Sequence, residues 1–431
     1  MRLELLVLLT ALALPAGADS SLPGFSLTHL ANPAGASATC SLPDGDFVTF
    51  NGVSVDRWNA DGSLELHLWS APGAVFASFV EATPDGSAVI VGDSGNGAGV
   101  AGDLHQVALD GSGAQWLASV PFNYDGSFAP NGDLVVSAAT AGFGNGNDLV
   151  RLRWSPLSVT SIGHVDGPSG PLAFSRNGDL YYATQPSGFP PPLGASDIVR
   201  WSASQLASNT WLDDTNATTV ADHFQSVSSL AFDPSKGRLY AADNDFMSNV
   251  YRVLRVKTSV ANSVVVANSD TWIVALRFQD LGSGASFDAY QPGDGVSLVF
   301  ETTDFVALDD LVTVAPARPT LQASGPGVTG VGAVDLHIGG GVPNGAALFT
   351  YCPQTNIMAG EVGYPLPNFL HFSPFMLSAT VRFNFLVPLD SNGAGSLALW
   401  NPGGLNGLYG WQVLVGKANG TLVGSTNAVQ F

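Results

Sequence analysis

A chain of 431 residues with 45% hydrophobic content is long enough for two packed domains, and its 50 glycines and 27 prolines favour turn-rich β structure. Only 12% of residues are charged, and 15 Lys+Arg against 35 Asp+Glu give a net charge of −20. That field repels phosphate backbones and anionic lipid, which excludes nucleic acid and anionic membranes as partners.

Residues 1–18 read as a secretory signal. Arg2 precedes an apolar run over 5–14, and Ala16-Gly17-Ala18 offers a small-residue cleavage site, although Glu4 is untypical. The run is too short to span a bilayer and no later stretch is long enough. The expectation is an exported protein, secreted or held at the cell surface (extracellular or periplasmic), without a transmembrane segment. Asn216 and Asn419 open glycosylation sequons. Cys40 and Cys352 fall in separate predicted domains and in apolar strand contexts, which favours two buried thiols over a disulfide.

From residue 22 onward one phrase recurs. Its fullest copy is Leu230-Ala231-Phe232, then the turn Asp233-Pro234-Ser235-Lys236-Gly237, then Leu239-Tyr240-Ala241-Ala242. The turn glycines of the copies are Gly45, Gly86, Gly132, Gly178, Gly237 and Gly295, and steps of roughly 40–60 residues with four short strands each are a propeller period. A second pair of strands follows each hairpin, opening at Asp103, Asp148, Asp197, Asn249 and Asp304. The repeats predict six blades over 22–316. Residues 25–30 are placed to complete the last blade, which also carries an insertion over 279–290.

The run 315–319 contains two prolines and marks the boundary. Beyond it, over 319–431, roughly seven short strands separated by Gly, Asn and Pro turns suit a β-sandwich, Ig-like or similar. The expected fold class is all-β, a six-bladed β-propeller followed by a β-sandwich domain, with no helix of convincing length.

The hairpin over 229–243 resembles the repeats of six-bladed propellers of the NHL and gluconolactonase-like kind, and the likeness covers roughly 25–316. Residues 319–431, with their ending over 404–429, resemble a C-terminal domain of exported proteins from planctomycete-type bacteria. The first resemblance implies a divalent metal in the channel held by a Glu, an Asn and an Asp, the Glu from an E-G-P entry before an early innermost strand. Here Ser37-Ala38-Thr39 stands at that entry, and Glu81 is followed by Ala-Thr-Pro.

Gly92-Asp93-Ser94-Gly95-Asn96 is close to a serine-nucleophile loop, but no histidine has a matching setting, so it reads as a turn. The loops over 92–102, 141–147, 185–196 and 243–248 should emerge on one face, and loops on a rigid scaffold commonly carry binding. The candidate ligand-binding residues there are Asp93, Asn96, Asn145, Asn147, Asp243, Asn244 and Asp245. Glu81, Asp243 and Asp245 are the candidate ligands of a hard cation such as Ca²⁺; the competing reading makes the loop acids turn-formers and Glu81 a strand-edge carboxylate. Trp58, Trp154 and Trp201 recur at one strand position and are assigned to packing. The function expected is non-enzymatic binding of an extracellular protein or glycan without a cofactor. The alternative is a metal-dependent lactonase- or hydrolase-like enzyme working at the channel mouth.

Overall fold

A computed structural model of the chain describes residues 19–430 apart from 23, 32–37, 96–101, 143–144, 186–191, 193, 281–286, 289–295, 304–308, 318, 330, 354–363, 367–369, 373–382, 402–408, 420–421 and 427–428. The signal-like residues 1–18 and Asn96 lie outside the described residues.

The repeated phrase folds as antiparallel sheets of four strands. The first holds Ala38–Ser41, Phe47–Phe50, Ser54–Trp58 and Leu64–Ser70; the second Ala77–Ala82, Ala88–Asp93, Asp103–Ala108 and Ala114–Ser119. The third holds Asn123–Phe128, Leu134–Ala138, Asn147–Trp154 and Leu157–Val165; the fourth Leu172–Phe174, Leu180–Ala183, Ser196–Trp201 and Thr218–Phe224. Val227–Phe232, Leu239–Asp245, Val250–Arg255 and Val264–Ser269 form the fifth, and Trp272–Asp280, Val296–Thr303 and Asp309–Pro316 most of the sixth. The leading strands touch in order from the first sheet to the sixth, and the sixth touches the first. The sheets therefore stand in a ring with their leading strands around a central channel.

One glycine position explains the repetition. Gly45, Gly86, Gly132, Gly178 and Gly237 all have positive φ, from 63° to 100°, a region that costs a side chain strain and glycine nothing. One residue before Gly45, Gly86 and Gly132, and four before Gly237, an Asp or Asn side chain closes the turn: Asp44, Asp85, Asn131 and Asp233 each accept the amide hydrogen two residues on, at 2.8–3.1 Å.

The ring is held by apolar joints between neighbouring sheets. Cys40, Val48 and Phe50 pack on Val80, Val89 and Val91; Ile90 and Leu104 on Leu134 and Val136; Val135 and Leu149 on Leu180 and Tyr182. Ile198 and Phe224 meet Leu230 and Leu254, and Tyr240 and Val253 meet Ile273 and Phe300. The joint between sixth and first is the smallest, with Phe47 fully buried against Val299 and Leu311 and flanked by Leu30 and Trp58.

As the sequence suggests, the chain start closes the ring: Phe25–Ala31 pairs antiparallel with Asp309–Pro316 as the sixth sheet's fourth strand. Pairing begins earlier than residue 22, because Ser20–Ser21 adds to Val264–Ser269 in the fifth sheet. One short helix, Ala203–Ala207, starts at a Ser202–Gln205 capping box. Trp201 is buried with its indole N–H donated to the Asp213 carbonyl, and Trp58 and Trp154 donate to Thr49 Oγ1 and the Gly132 carbonyl, which is the packing role expected. Cys40 is a buried free thiol whose pKa burial pushes up; the Cys352 side chain lies outside the described ones.

After Pro316, Thr320–Ser324, Gly332–Gly339 and Gly395–Asn401 form one sheet, and Phe383–Pro388, Ala346–Pro353, Tyr409–Gly416 and Leu422–Ser425 a second, to which Val429–Gln430 adds. Alternate residues of Gly332–Gly339 are buried, the period of a strand with one covered face. Val334, Leu336 and Ile338 share a core with Phe349, Trp411 and Val413 of the second sheet.

Among the described residues, replacing Phe47 by alanine removes the only fully buried aromatic of the closing joint. A loss of about 3–5 kcal/mol is expected, read as a lower denaturant midpoint with little change in slope. A loss below about 1 kcal/mol would show that this joint does not limit the stability of the ring.

Candidate ligand pocket at the channel mouth

The leading strands of a ring all point one edge at the axis, so polar residues on them must converge. Here they do. A cavity of about 470 Å³ opens at the end of the channel where the leading strands begin, lined by the first, second, third, fifth and sixth sheets and by Pro168 and Ser169 of the loop that leads into the fourth. Thr39, Ser78, Asn123, Tyr124, Ser228, Ser229 and Asn244 supply hydroxyls and amides, while Phe79, Phe122, Phe246 and Trp272 supply rings.

Two asparagines fix neighbouring sheets to each other. Asn244 accepts the Ile273 amide hydrogen at 3.1 Å and donates to the Ile273 carbonyl at 2.9 Å and to Ser228 Oγ at 3.0 Å, joining the fifth sheet to the sixth. Asn123 accepts from Ser78 Oγ and donates to the Asp93 and Val120 carbonyls, joining the third to the second. A side chain at Gly92 would come within 2.5 Å of Asn123 Oδ1, so glycine leaves room for this bond.

The floor is built across the channel rather than around it. Tyr124 Oη of the third sheet donates to the Ser228 carbonyl of the fifth at 3.3 Å. Below it Arg277, on the sixth, reaches Asp125 of the third at 3.3 Å and Glu81 of the second at 3.7 Å. Arg277 Nη1 donates to the Leu276 carbonyl at 2.9 Å and to Ser229 Oγ at 3.3 Å. Asp125 also accepts the Leu172 and Gly126 amide hydrogens at 2.9 Å.

Burial dominates the electrostatics. It raises the Glu81 pKa from the ordinary 4.5 to about 7, with Arg277 pulling it down and Asp125 pushing it up. Asp125 is shifted up by burial against the pull of Arg277. Burial opposes the Arg277 charge, but Asp125 and Glu81 outweigh it and hold its pKa up. Tyr124 is driven up by burial and then by Asp125.

The residues expected from sequence scatter. Asn244 lines the cavity. Asp243, fully buried, accepts from Arg252 at 2.6 Å and from the Gln225 and Ser226 amides at 2.8 and 3.2 Å. Asp245 closes a turn onto the Met247 and Ser248 amides at 3.1 Å. Asp93, the last residue of its strand and raised in pKa by burial, accepts from the Gly95 and Asp103 amides at 3.0 and 3.3 Å, so its carboxylate is taken up by its own backbone. Asn145 donates to the Ala141 carbonyl at 2.9 Å and Asn147 is buried beside the Tyr182 hydroxyl. Among the described residues no three His, Cys, Asp or Glu side chains gather as a metal site, so Glu81, Asp243 and Asp245 do not converge. Sequence reasoning missed Arg277, Asp125, Tyr124 and Asn123. The available signal was an arginine inside the apolar strand Trp272–Asp280 and acids inside two other leading strands.

No family model and no curated protein matches the chain. Solved structures do. A Trichoderma reesei protein of carbohydrate-active enzyme family AA12 is 11% identical, with 70% of this chain and 98% of that one covered at a TM-score of 0.51. The PQQ domain of a pyranose dehydrogenase from Coprinopsis cinerea is 8% identical, covering 69% and 97% at 0.50. A gluconolactonase from Xanthomonas campestris is 14% identical, covering 69% and 91% at 0.48. The fold is that of a β-propeller. At these identities the likeness reaches no further than fold.

Two outcomes follow from the floor. Arg277→Met leaves two buried acids without their cation and should cost about 3–5 kcal/mol at pH 8, part of it recovered by adding Glu81→Gln; a neutral Arg277→Met change would remove the cross-channel bridge from the account. The second outcome concerns pH. Because the folded chain holds the Glu81 proton more tightly than the unfolded chain, the resulting stabilisation is complete below about pH 4.5 and is lost as pH rises through about 7. Its upper bound is on the order of 3 kcal/mol. Glu81→Gln should flatten the decline of Tm between about pH 5 and pH 8, and an unchanged slope would place the titration elsewhere.

Proposed function

We propose that this chain is an exported binding protein, which takes a neutral polyhydroxylated ligand, such as the exposed end of a glycan, into the channel mouth. The observation that carries this reading is the wall of the 470 Å³ cavity, where hydroxyls and amides from the first, second, third and fifth sheets stand among the rings of Phe79, Phe122, Phe246 and Trp272. Sugars present both kinds of surface, hydroxyl edges for hydrogen bonds and C–H faces for ring stacking. Phe246 and Trp272 meet edge to face at 4.4 Å, and Trp272 Nε1 is fixed by Tyr251 Oη at 2.9 Å, so the aromatic side is held in place. With a net charge of −20 the protein favours neutral ligands over polyanionic ones.

The metal-dependent reading is weaker on geometry. The two channel acids that a divalent ion would need are engaged by Arg277, whose guanidinium supplies the positive charge there. In this proposal Ca²⁺ has no part in the channel. Export rests on the composition of residues 1–18. The C-terminal sheets, sharing one core, are read as a β-sandwich that attaches the propeller to a larger structure.

The test is an array of neutral glycans probed with the mature chain, followed by calorimetry on the best ligand. Trp272→Ala should weaken binding roughly tenfold, and Ser228→Trp, which fills the mouth, should abolish it. Binding that survives Ser228→Trp places the ligand outside the channel. A rise of several degrees in Tm with Ca²⁺ over EDTA, lost in Glu81→Gln, would instead favour the metal-dependent enzyme.

A further inference from the structure

The outermost hairpin of the first sheet carries a hydrogen-bonded chain that the channel reading does not use. In the pairing of Ser54–Trp58 with Leu64–Ser70, Asp56 lies opposite His67 and Ser54 opposite Ser70. His67 Nδ1 is 2.8 Å from Asp56 Oδ1, and His67 Nε2 is 2.9 Å from Ser70 Oγ. A carboxylate can only accept, so Nδ1 carries the hydrogen; Nε2 is then the bare nitrogen and Ser70 donates to it. Ser54 Oγ donates to the other oxygen, Asp56 Oδ2, at 2.6 Å and fixes the carboxylate. Serine, imidazole and acid thus stand in the order and tautomer of a nucleophilic relay.

The third sheet supplies a contrast. There His164 Nδ1 meets Asp148 at 2.8 Å, but the nearby hydroxyl, Thr140, bonds the acid and not the imidazole. A His–Asp pair across the outer strands is therefore part of the framework, and the serine on Nε2 is what the first sheet adds. Asp56 is largely covered while His67 is half exposed and Ser70 is exposed, so the relay faces solvent.

We infer that Ser70, His67 and Asp56 form a second, hydrolytic site that cleaves esters of short acyl groups. Ser70 Oγ attacks the ester carbonyl as its proton passes to His67 Nε2; the bond to the leaving alcohol breaks, and that alcohol takes the proton. Water then attacks the acyl-serine, gives its proton to Nε2, and releases the carboxylic acid as Ser70 recovers its hydrogen. Asp56 is a positioning residue acting through His67. The acyl group is short because the site lies open on a sheet edge. The apolar neighbour next to Ser70 is Val53, 53% exposed, whose carbonyl accepts the Ala71 amide hydrogen at 2.8 Å.

The test treats the full mature chain with a fluorophosphonate probe, maps the adduct by peptide mass spectrometry, and follows hydrolysis of p-nitrophenyl acetate. The expected result is a single adduct on Ser70 and turnover above background. Both should be lost in Ser70→Ala, and labelling should fall roughly 100-fold in His67→Gln, with unchanged melting temperatures. Asp56→Asn should slow labelling and Asp56→Glu restore part of it. An unlabelled Ser70 in the wild-type chain, or labelling that His67→Gln leaves at full rate, would overturn the proposal.

Discussion

The Arg277 guanidinium determines what the centre of this ring can be. Six sheets pointing their leading edges at one axis leave a channel whose walls are low in dielectric, where a lone acid is costly and an acid–base pair is stabilised only if its remaining hydrogen bonds are met. Asp125 meets that condition, with the Arg277 contact and two amide hydrogens. Glu81, at 3.7 Å, is held less closely, and burial leaves it titrating near neutrality. The bridge joins the second, third and sixth sheets across the axis. It spans the channel at the base of the cavity and gives the mouth the form of a cup.

Cup and ring depend on each other. Joints between neighbouring sheets fix distances around the circumference, but the last joint rests on few residues, and it joins the first sheet to a sheet completed by the chain start. A ring whose last sheet is completed by the chain start ties its two ends together at the seam. With the circumference fixed, Asn123 and Asn244 can hold inner strands at hydrogen-bond distance, and the cavity wall becomes rigid before any ligand arrives.

The repeat was legible because it is local. A glycine with positive φ a few residues after an apolar strand, in four of the five turns closed by Asp or Asn, is written in nearby residues, and Gly45, Gly86, Gly132, Gly178 and Gly237 could be found by reading along the chain. The closing strand was legible for a different reason: a ring of hairpins with one strand missing requires a partner, and Phe25–Ala31 had the right pattern. The cup was not legible. Arg277 and Asp125 are 152 residues apart, and nothing in either neighbourhood names the other. Attention fell instead on acid-rich loops, where Asp243 and Asp245 turned out to satisfy backbone amides and Arg252. Short polar side chains in loops are used first by their own backbone, so they are poor guides to a ligand; charged or amide residues inside an apolar leading strand are better ones.

That lesson separates the two sites on physical grounds. The channel mouth draws its groups from six elements distant in sequence, so its geometry depends on ring closure. The Ser54, Asp56, His67 and Ser70 chain draws on two paired strands, and its distances are set by cross-strand register alone. The ring concentrates selectivity at its axis, where walls surround a ligand, and leaves at its rim a site able to meet substrates too large to enter.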